Sequence, residues 1–253
     1  MTKPDGSWNV VLVQYTGQHW SDAGPMRATF AKDAVVLLPN GEQPAADADV
    51  ASAIAFLNPH ADVKAASFDH FTAGGNASMA WFAAELHFTV ASSEPGYGVA
   101  TEKHVVRAIE LLDGAAGWKV AVAAFTNVGK LQQSGSSEIA DATAPGPLVQ
   151  LLASPPPLAS ALDANALVFG TDPDERGVGA GAKKLVGGWN KLQLALDTAQ
   201  KAREVHTARY GYAMTNVTLG QPGKTKAMNA FVLALPGAAG AWTVIAASYG
   251  ATF

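Results

Sequence analysis

A turn followed by a tryptophan and a run of small and β-branched residues occurs three times in this chain of 253 residues. The three copies are DGSWNVVLVQYT (5–16), DGAAGWKVAVAAFT (113–126) and PGAAGAWTVIAASYG (236–250). Their tryptophans, Trp8, Trp118 and Trp242, lie 110 and 124 residues apart. This is the spacing of whole domains and not the roughly 20 to 50 residues of a solenoid repeat. The repetition predicts two homologous domains in tandem, preceded by one strand that looks like the last strand of a third.

The composition predicts folded domains and excludes several classes of function. Hydrophobic residues make up 49% of the chain and charged residues 15%, which is typical of a chain with well-filled cores. The net charge is −4 without a cluster of Lys and Arg, which argues against a nucleic-acid surface. Because the chain has no cysteine, disulfides, thiolate catalysis and cysteine-ligated zinc are excluded.

Neither a membrane span nor a signal peptide is predicted. The apolar runs are shorter than the about 18 residues that a membrane-spanning helix needs. The first ten residues, MTKPDGSWNV, lack the basic start and the apolar centre of a signal peptide. We therefore expect a cytoplasmic protein without membrane contact, although a longer natural N-terminus would leave export open.

Turn residues and hydrophobic periodicity divide the chain into four segments. Residues 1–15 hold the extra N-terminal strand, which we interpret as the relic of a third copy. The first domain spans 16–130, a linker rich in Ser, Gly, Pro and Ala spans 131–147, and the second domain spans 148–253. Each domain is therefore expected to end in one copy of the tryptophan strand.

Each domain is predicted to contain a short strand, a helix and a four-stranded antiparallel meander, which is an α+β arrangement. The helices are predicted at 47–59 and 181–196, where apolar residues recur at helical spacing. Gly187 and Gly188 are expected to weaken or break the second helix. The meander strands are predicted at 63–72, 77–91, 104–112 and the Trp118 stretch, and at 201–208, 210–219, 224–235 and the Trp242 stretch.

Two further short helices, at 148–153 and 158–162, are predicted to open the second domain. Pro155, Pro156 and Pro157 lie between them. Proline is tolerated at the first position of a helix, so we expect only one of the three to belong to a helix.

The tryptophan strands are apolar on both faces. Simple alternation places Trp118, Val120, Val122 and Ala124 on one face, and Ala121, Ala123 and Phe125 on the other. In the last copy, Trp242, Val244 and Ala246 oppose Ile245, Ala247 and Tyr249. A sheet with one wet face would alternate apolar and polar residues. We therefore predict that helices cover one face of each sheet and that the sheet of the other domain covers the second, as an intramolecular pseudo-dimer.

These elements, in this order, resemble the SnoaL-like branch of the nuclear transport factor 2-like superfamily. The matching stretches are FAKDAVVLLPNGE, SMAWFAAELHFTV and RAIELLDGAAGWKVAVAAFT in the first domain, and ALVFGTDPDERG, GYAMTNVTL and AFVLALPGAAGAWTVIAASYG in the second. The resemblance implies two cone-shaped domains. In each, a curved antiparallel sheet would wrap around N-terminal helices and enclose a pocket, and the outer sheet face would serve for dimerisation.

The chain departs from this family at the end of the last strand. Many relatives carry a histidine just before the final aromatic residue, where this chain has Ala123-Ala124-Phe125 and Ala247-Ser248-Tyr249. Catalytic members use an Asp, His or Tyr inside the cone, and no such set is matched here residue by residue. The departure weakens the case for catalysis.

In the first domain the candidate site residues are Trp81, Glu85, His87 and Arg107. The first three are separated by even numbers of residues, so a strand places them on one face. A Glu and a His beneath a Trp would form a general acid/base pair in an apolar pocket. The alternative is that this face is a solvated or inter-domain surface without a chemical role.

In the second domain the candidates are His206, Arg209, Tyr212, Asn216 and Asn229. Asn and Tyr donate hydrogen bonds but are poor bases at neutral pH, so the set is typical of ligand binding and not of catalysis. The alternative is ordinary cross-strand pairing. When the two domains are aligned, Glu85 matches Asn216 and Arg107 matches Ala230, so a catalytic site in the first domain would be lost from the second.

No metal or cofactor site is predicted. His60, Asp62, Asp69 and His70 lack a compact ligand spacing. TDPDERG (171–177) has Lys183 where a calcium loop needs a glutamate, and GVGAGAKK (177–184) lacks the ending of a phosphate-binding loop. We interpret these segments as loops, turns and strand ends.

These observations favour a small-molecule-binding or assembly module without catalysis, whose ligand would be a small apolar molecule. The alternative is an isomerase, cyclase or dehydratase with an acid/base site in the cone of the first domain, where Glu85 or His87 would be the acid or base. We also expect the two domains to pair within the chain, with further homo-oligomerisation through an open sheet edge.

Overall fold

The computed structural model describes residues 27–37, 63–92, 100–115, 117–128, 144–170, 172, 174–191, 193–196, 202–221 and 224–251. They divide into two compact units, of which the first holds the described residues up to 128 and the second those from 144 onward. The Trp8 strand, the helix predicted at 47–59 and most of the predicted linker lie outside the described residues.

The described part of the first unit is a mixed sheet of five strands. They are β1 (Phe30–Leu37), β2 (Val63–Gly75), β3 (Met79–Ser92), β4 (Ala100–Asp113) and β5 (Lys119–Val128). Their order in the sheet is β1-β5-β4-β3-β2, with β1 parallel to β5 and all other neighbours antiparallel. The last strand therefore lies between the first strand and the meander.

The described part of the second unit combines three helices with a mixed sheet. The elements are α1 (Pro147–Leu152), α2 (Pro155–Ala161), β6 (Leu162–Phe169), β7 (Arg176–Val178), α3 (Ala180–Gly188), β8 (Gln193–Leu196), β9 (Arg203–His206), β10 (Gly211–Gln221), β11 (Lys224–Pro236) and β12 (Trp242–Ala251). The order in the sheet is β7-β6-β12-β11-β10-β8, and β9 also pairs with β10. Within the described ranges, none of the helices is long and apolar enough to pass through a bilayer.

The α+β fold and the meander strands of both domains are confirmed. The expected antiparallel arrangement holds for the meander strands, whereas β1 joins β5 and β6 joins β12 in parallel. Parallel neighbours need a long connection between them. The chain between them supplies that connection, since the two paired strands are the first and the last strands described in each unit.

A β-bulge in β5 makes the predicted face assignment wrong at one point. Val120 and Val122 pair with consecutive residues of β4, Leu112 and Leu111, so Ala121 is an extra residue in the strand. Because a bulge inserts one residue, the side chains of Val120 and Val122 lie on opposite faces. Simple alternation had placed them on the same face.

The second unit repeats this bulge at Ile245, where Val244 and Ala246 pair with consecutive residues of β11. Val244 accordingly lies in the hydrophobic core together with Tyr249. The bulges do not change the prediction that both faces of the two strands are buried, since every residue from 120 to 125 and from 244 to 250 is buried.

The helix predicted at 181–196 ends earlier than expected. α3 stops at Gly188 and is followed by a 3-10 turn over Trp189–Lys191. Gln193–Leu196 form β8, which pairs with β10, in place of the last helical turns. Two consecutive glycines at 187 and 188 end the helix, as expected, because glycine loses the most backbone entropy in a helix.

Pro155, Pro156 and Pro157 all lie in the first turn of α2, whereas only one of them was expected in a helix. The first N–H groups of a helix have no acceptor within it, so proline rings remove no hydrogen bond there. The first helical hydrogen bond runs from the Leu158 amide to the Ser154 carbonyl oxygen, at 2.9 Å.

The three helices of the second unit pack on one face of its sheet, which we call the helix-facing side. Leu152 of α1, Leu158 of α2 and Val186 of α3 share one hydrophobic core with Tyr249 of β12. The Tyr249 hydroxyl donates a hydrogen bond to the Leu152 carbonyl oxygen at 2.9 Å. The Trp189 ring meets the Tyr249 ring edge-on, with 4.9 Å between the ring centroids. The opposite side of the sheet is called the outer face below.

Candidate functional site

A buried ion pair joins β3 and β4 in the first unit. Glu85 and Arg107 are direct cross-strand partners, and the Arg107 Nε atom lies 3.5 Å from the Glu85 Oε1 atom. Their side chains are 5% and 3% exposed, respectively. The structure thus brings two of the predicted site residues together as partners of each other.

Mutual charge neutralisation holds this pair in place. Removing one member of a buried ion pair strands the other charge, at a cost of about 3–5 kcal/mol. Replacing both members by uncharged residues of similar volume is often close to neutral. Each residue of the pair therefore depends on the presence of the other.

Trp81 lies on the same face of β3, close to the β2–β3 turn. Its indole ring covers Gly74 of β2, where a Cβ atom would lie 2.6 Å from the ring. At the next residue, Gly75, a Cβ atom would lie 2.4 Å from the Met79 carbonyl oxygen. Both glycines of the AGGN turn are thus required by close contacts, and the first of them makes room for Trp81.

His87 follows Glu85 on the same face of β3. The β3–β4 register has no shift between residues 81 and 87, which confirms that Trp81, Glu85 and His87 share one face. His87 is half-buried as a residue. Its Nε2 atom is buried and has no hydrogen-bond partner in the part of the chain that the structure describes.

In the first sheet we call the face opposite Phe125 the outer face, and these residues lie on it. Phe125 pairs with Ala108 in the first unit as Tyr249 pairs with Ala230 in the second, so the two aromatic rings occupy corresponding positions. Tyr249 lies on the helix-facing side of the second sheet. In the first sheet, Arg107 is the neighbour of Ala108 on β4, so its side chain lies on the face opposite Phe125. The strand register therefore puts Glu85, His87 and Arg107 together on the face of the first sheet opposite Phe125 and Glu110.

A fully buried carboxylate, Glu110, was not among the predicted site residues. It pairs with Phe82 of β3 and Ala123 of β5, and lies on the same side as Phe125. The signal that could have found it is the stretch RAIELLD, in which a charged residue interrupts an apolar strand on the face opposite Arg107.

In the second unit, Tyr212 and Asn216 lie on the outer face, and both are 1% exposed. Asn216 pairs with Asn229 as Glu85 pairs with Arg107. Arg107 therefore corresponds to Asn229, and the alignment of Arg107 with Ala230 was wrong by one residue because it ignored strand pairing. Both polar atoms of the Asn216 amide are buried and have no hydrogen-bond partner among the described residues.

Arg203 of β9, which the sequence analysis also missed, lies next to Tyr212 on the outer face. Its backbone pairs with Met214, which places its side chain on the same face of the sheet as Tyr212. Burial raises the pKa of Tyr212, and the charge and hydrogen bond of Arg203 lower it by less. Tyr212 is therefore a neutral phenol at physiological pH.

His206 does not lie with these residues. It is exposed at the end of β9, with its Nε2 atom 2.6 Å from the Glu204 Oε1 atom and its ring centroid 4.9 Å from that of Trp242. The Glu204 carboxylate also accepts hydrogen bonds of 2.9–3.1 Å from three backbone N–H groups at the start of α1. His206 is thus part of a structural anchor between β9 and α1.

Arg209 is also apart from the outer face. It lies in the turn between β9 and β10, where its backbone amide donates to the Thr207 hydroxyl at 3.1 Å. Of the five candidates in the second domain, the structure therefore places Tyr212, Asn216 and Asn229 on one face and the other two elsewhere.

Of the segments that suggested metal or phosphate binding, the described residues 172 and 174–175 belong to a turn, 177–184 run from β7 into α3, and Asp69 and His70 lie in β2. Between β6 and β7, the Glu175 amide donates to the Asp172 carbonyl oxygen at 3.0 Å, and the Gly170 amide donates to the Glu175 carbonyl oxygen at 2.7 Å. Gly179, with a φ of 54°, connects β7 to α3. Among the described residues, no group of three or more His, Asp or Glu could hold a metal ion. His60 and Asp62 lie outside these residues.

A double-mutant cycle tests mutual neutralisation in the ion pair. Glu85→Asn and Arg107→Asn, each alone, should lower the free energy of unfolding by about 3–5 kcal/mol, because each strands a buried charge. The double variant has the residues found at the corresponding positions of the second unit, and it should recover about half or more of the summed loss. Urea denaturation followed by circular dichroism measures this, and strictly additive losses would contradict the pairing.

The two buried tyrosines predict a loss of stability in alkali. Burial raises the pKa of Tyr249 far above its ordinary value of about 10, and Tyr212 is shifted in the same direction. The unfolded chain loses these protons first, so the free energy of unfolding should fall as the pH rises above about 10. Tyr249→Phe should flatten this slope, and should lower stability at neutral pH by about 1 kcal/mol through loss of the bond to Leu152.

Urea denaturation at a series of pH values from neutral to alkaline checks this expectation. If Tyr249→Phe keeps the alkaline slope of the unmodified chain, the buried hydroxyl is not its source.

The chain is similar to solved structures over about half of its length. A ketosteroid isomerase-like protein from Erwinia carotovora atroseptica matches with 17% identity and a TM-score of 0.38, over 49% of this chain and 95% of that protein. A nuclear transport factor 2-like protein from Cytophaga hutchinsonii matches with 14% identity and a TM-score of 0.38, over 51% and 100%. A protein with a cystatin-like fold from Nostoc punctiforme matches with 12% identity and a TM-score of 0.40, over 52% and 98%. No family model matches the chain, and the comparison with curated proteins gave no match.

Proposed function

We propose that the chain is a small-molecule-binding module without catalysis. The observation that carries this proposal is the buried pair of Glu85 with Arg107, at 3.5 Å. A general base must accept a proton in each catalytic cycle. If Glu85 accepted a proton, the buried Arg107 guanidinium would lose the negative charge that lies 3.5 Å from it. The pairing therefore argues against Glu85 as the base of an enzyme.

Groups that could orient a ligand are found in the second unit. Asn216 is 1% exposed, and its amide oxygen and nitrogen have no hydrogen-bond partner among the described residues. A buried polar group without a partner costs about 1–3 kcal/mol. A bound molecule that hydrogen-bonds to this amide would remove that cost. Tyr212 and Asn229 share the outer face with Asn216.

The two units are, on this proposal, tandem copies of one domain. Two features support it: the last strand lies between the first strand and the meander in both, and both last strands have a bulge at the same position. One copy would then have kept a charged structural pair and the other an amide pair for a ligand. The stability of the Asn–Asn double variant, described above, tests whether the first unit accepts the pair of the second.

The alternative function is an isomerase, cyclase or dehydratase with its site in the first unit. One observation favours it: the His87 Nε2 atom is buried without a hydrogen-bond partner in the described residues, on the same face as Glu85. An imidazole can act as acid or base near neutral pH. In this alternative function, His87 would act as the acid or base without Glu85 as a second base.

A thermal-shift screen of small apolar and aromatic molecules tests the binding function, because a ligand of the folded chain must raise its melting temperature. At a ligand concentration of about 100 times the dissociation constant, stabilisation by about 2.7 kcal/mol should raise the melting temperature by roughly 5–10 °C. Asn216→Leu should abolish the shift. Asn190→Leu, the same change at an exposed position, should keep it.

The molecules that bind also separate binding from catalysis. After prolonged incubation with the protein, mass spectrometry should recover each of them unchanged. A converted product whose formation is lost in His87→Ala would contradict the proposal and favour the enzymatic alternative. A screen without any stabilising molecule would contradict the binding function.

A further inference from the structure

We draw no further inference here: the strongest candidate, the exposed His206 imidazole that lies against the Trp242 ring beside the start of α1, is held by Glu204 as part of the structural anchor already described, and nothing in the described part of the chain shows what would bind to it.

Discussion

The last strand of each unit is the element on which the rest of its sheet depends. β5 lies between β1 and β4, and β12 lies between β6 and β11, with one neighbour parallel and the other antiparallel. Residues 120–125 and 244–250 are buried, so these strands are shielded on both faces as well as at both edges. Because burial of apolar surface is the dominant favourable contribution to folding, neither face of such a sheet can be left in water.

Because the outer face is buried, a polar side chain on it needs a hydrogen-bonding partner or an opposite charge. The two units differ in the partners that they provide. In the first unit, Glu85 and Arg107 neutralise each other across β3 and β4. At the corresponding positions of the second unit, Asn216 faces Asn229, and the amide atoms of Asn216 have no hydrogen-bond partner among the described residues. The first pair carries opposite charges and the second carries none, which is the difference on which the proposed function of the second unit rests.

Hydrophobic periodicity was sufficient to predict the meander strands and the burial of both faces of the last strands. It could not predict the bulges at Ala121 and Ile245, because one inserted residue is visible only in the pairing with the next strand. The strand at 193–196 was missed because its leucines also fit a helical spacing, and pairing with β10 outweighed that local preference. The partnership of Glu85 with Arg107 required the register of two strands. Arg203 was missed because its burial is determined by residues that are distant in sequence.

Native-state hydrogen exchange tests the central position of the last strands most directly. Amides in the centre of a sheet exchange only when the whole unit unfolds, whereas amides at its edges exchange through local opening. The amides of residues 122–125 and 246–249 should be among the slowest in the chain, with opening free energies equal to the global unfolding free energy of their unit. The edge strand β7 should exchange faster. Exchange from β5 or β12 as fast as from β7 would contradict the account.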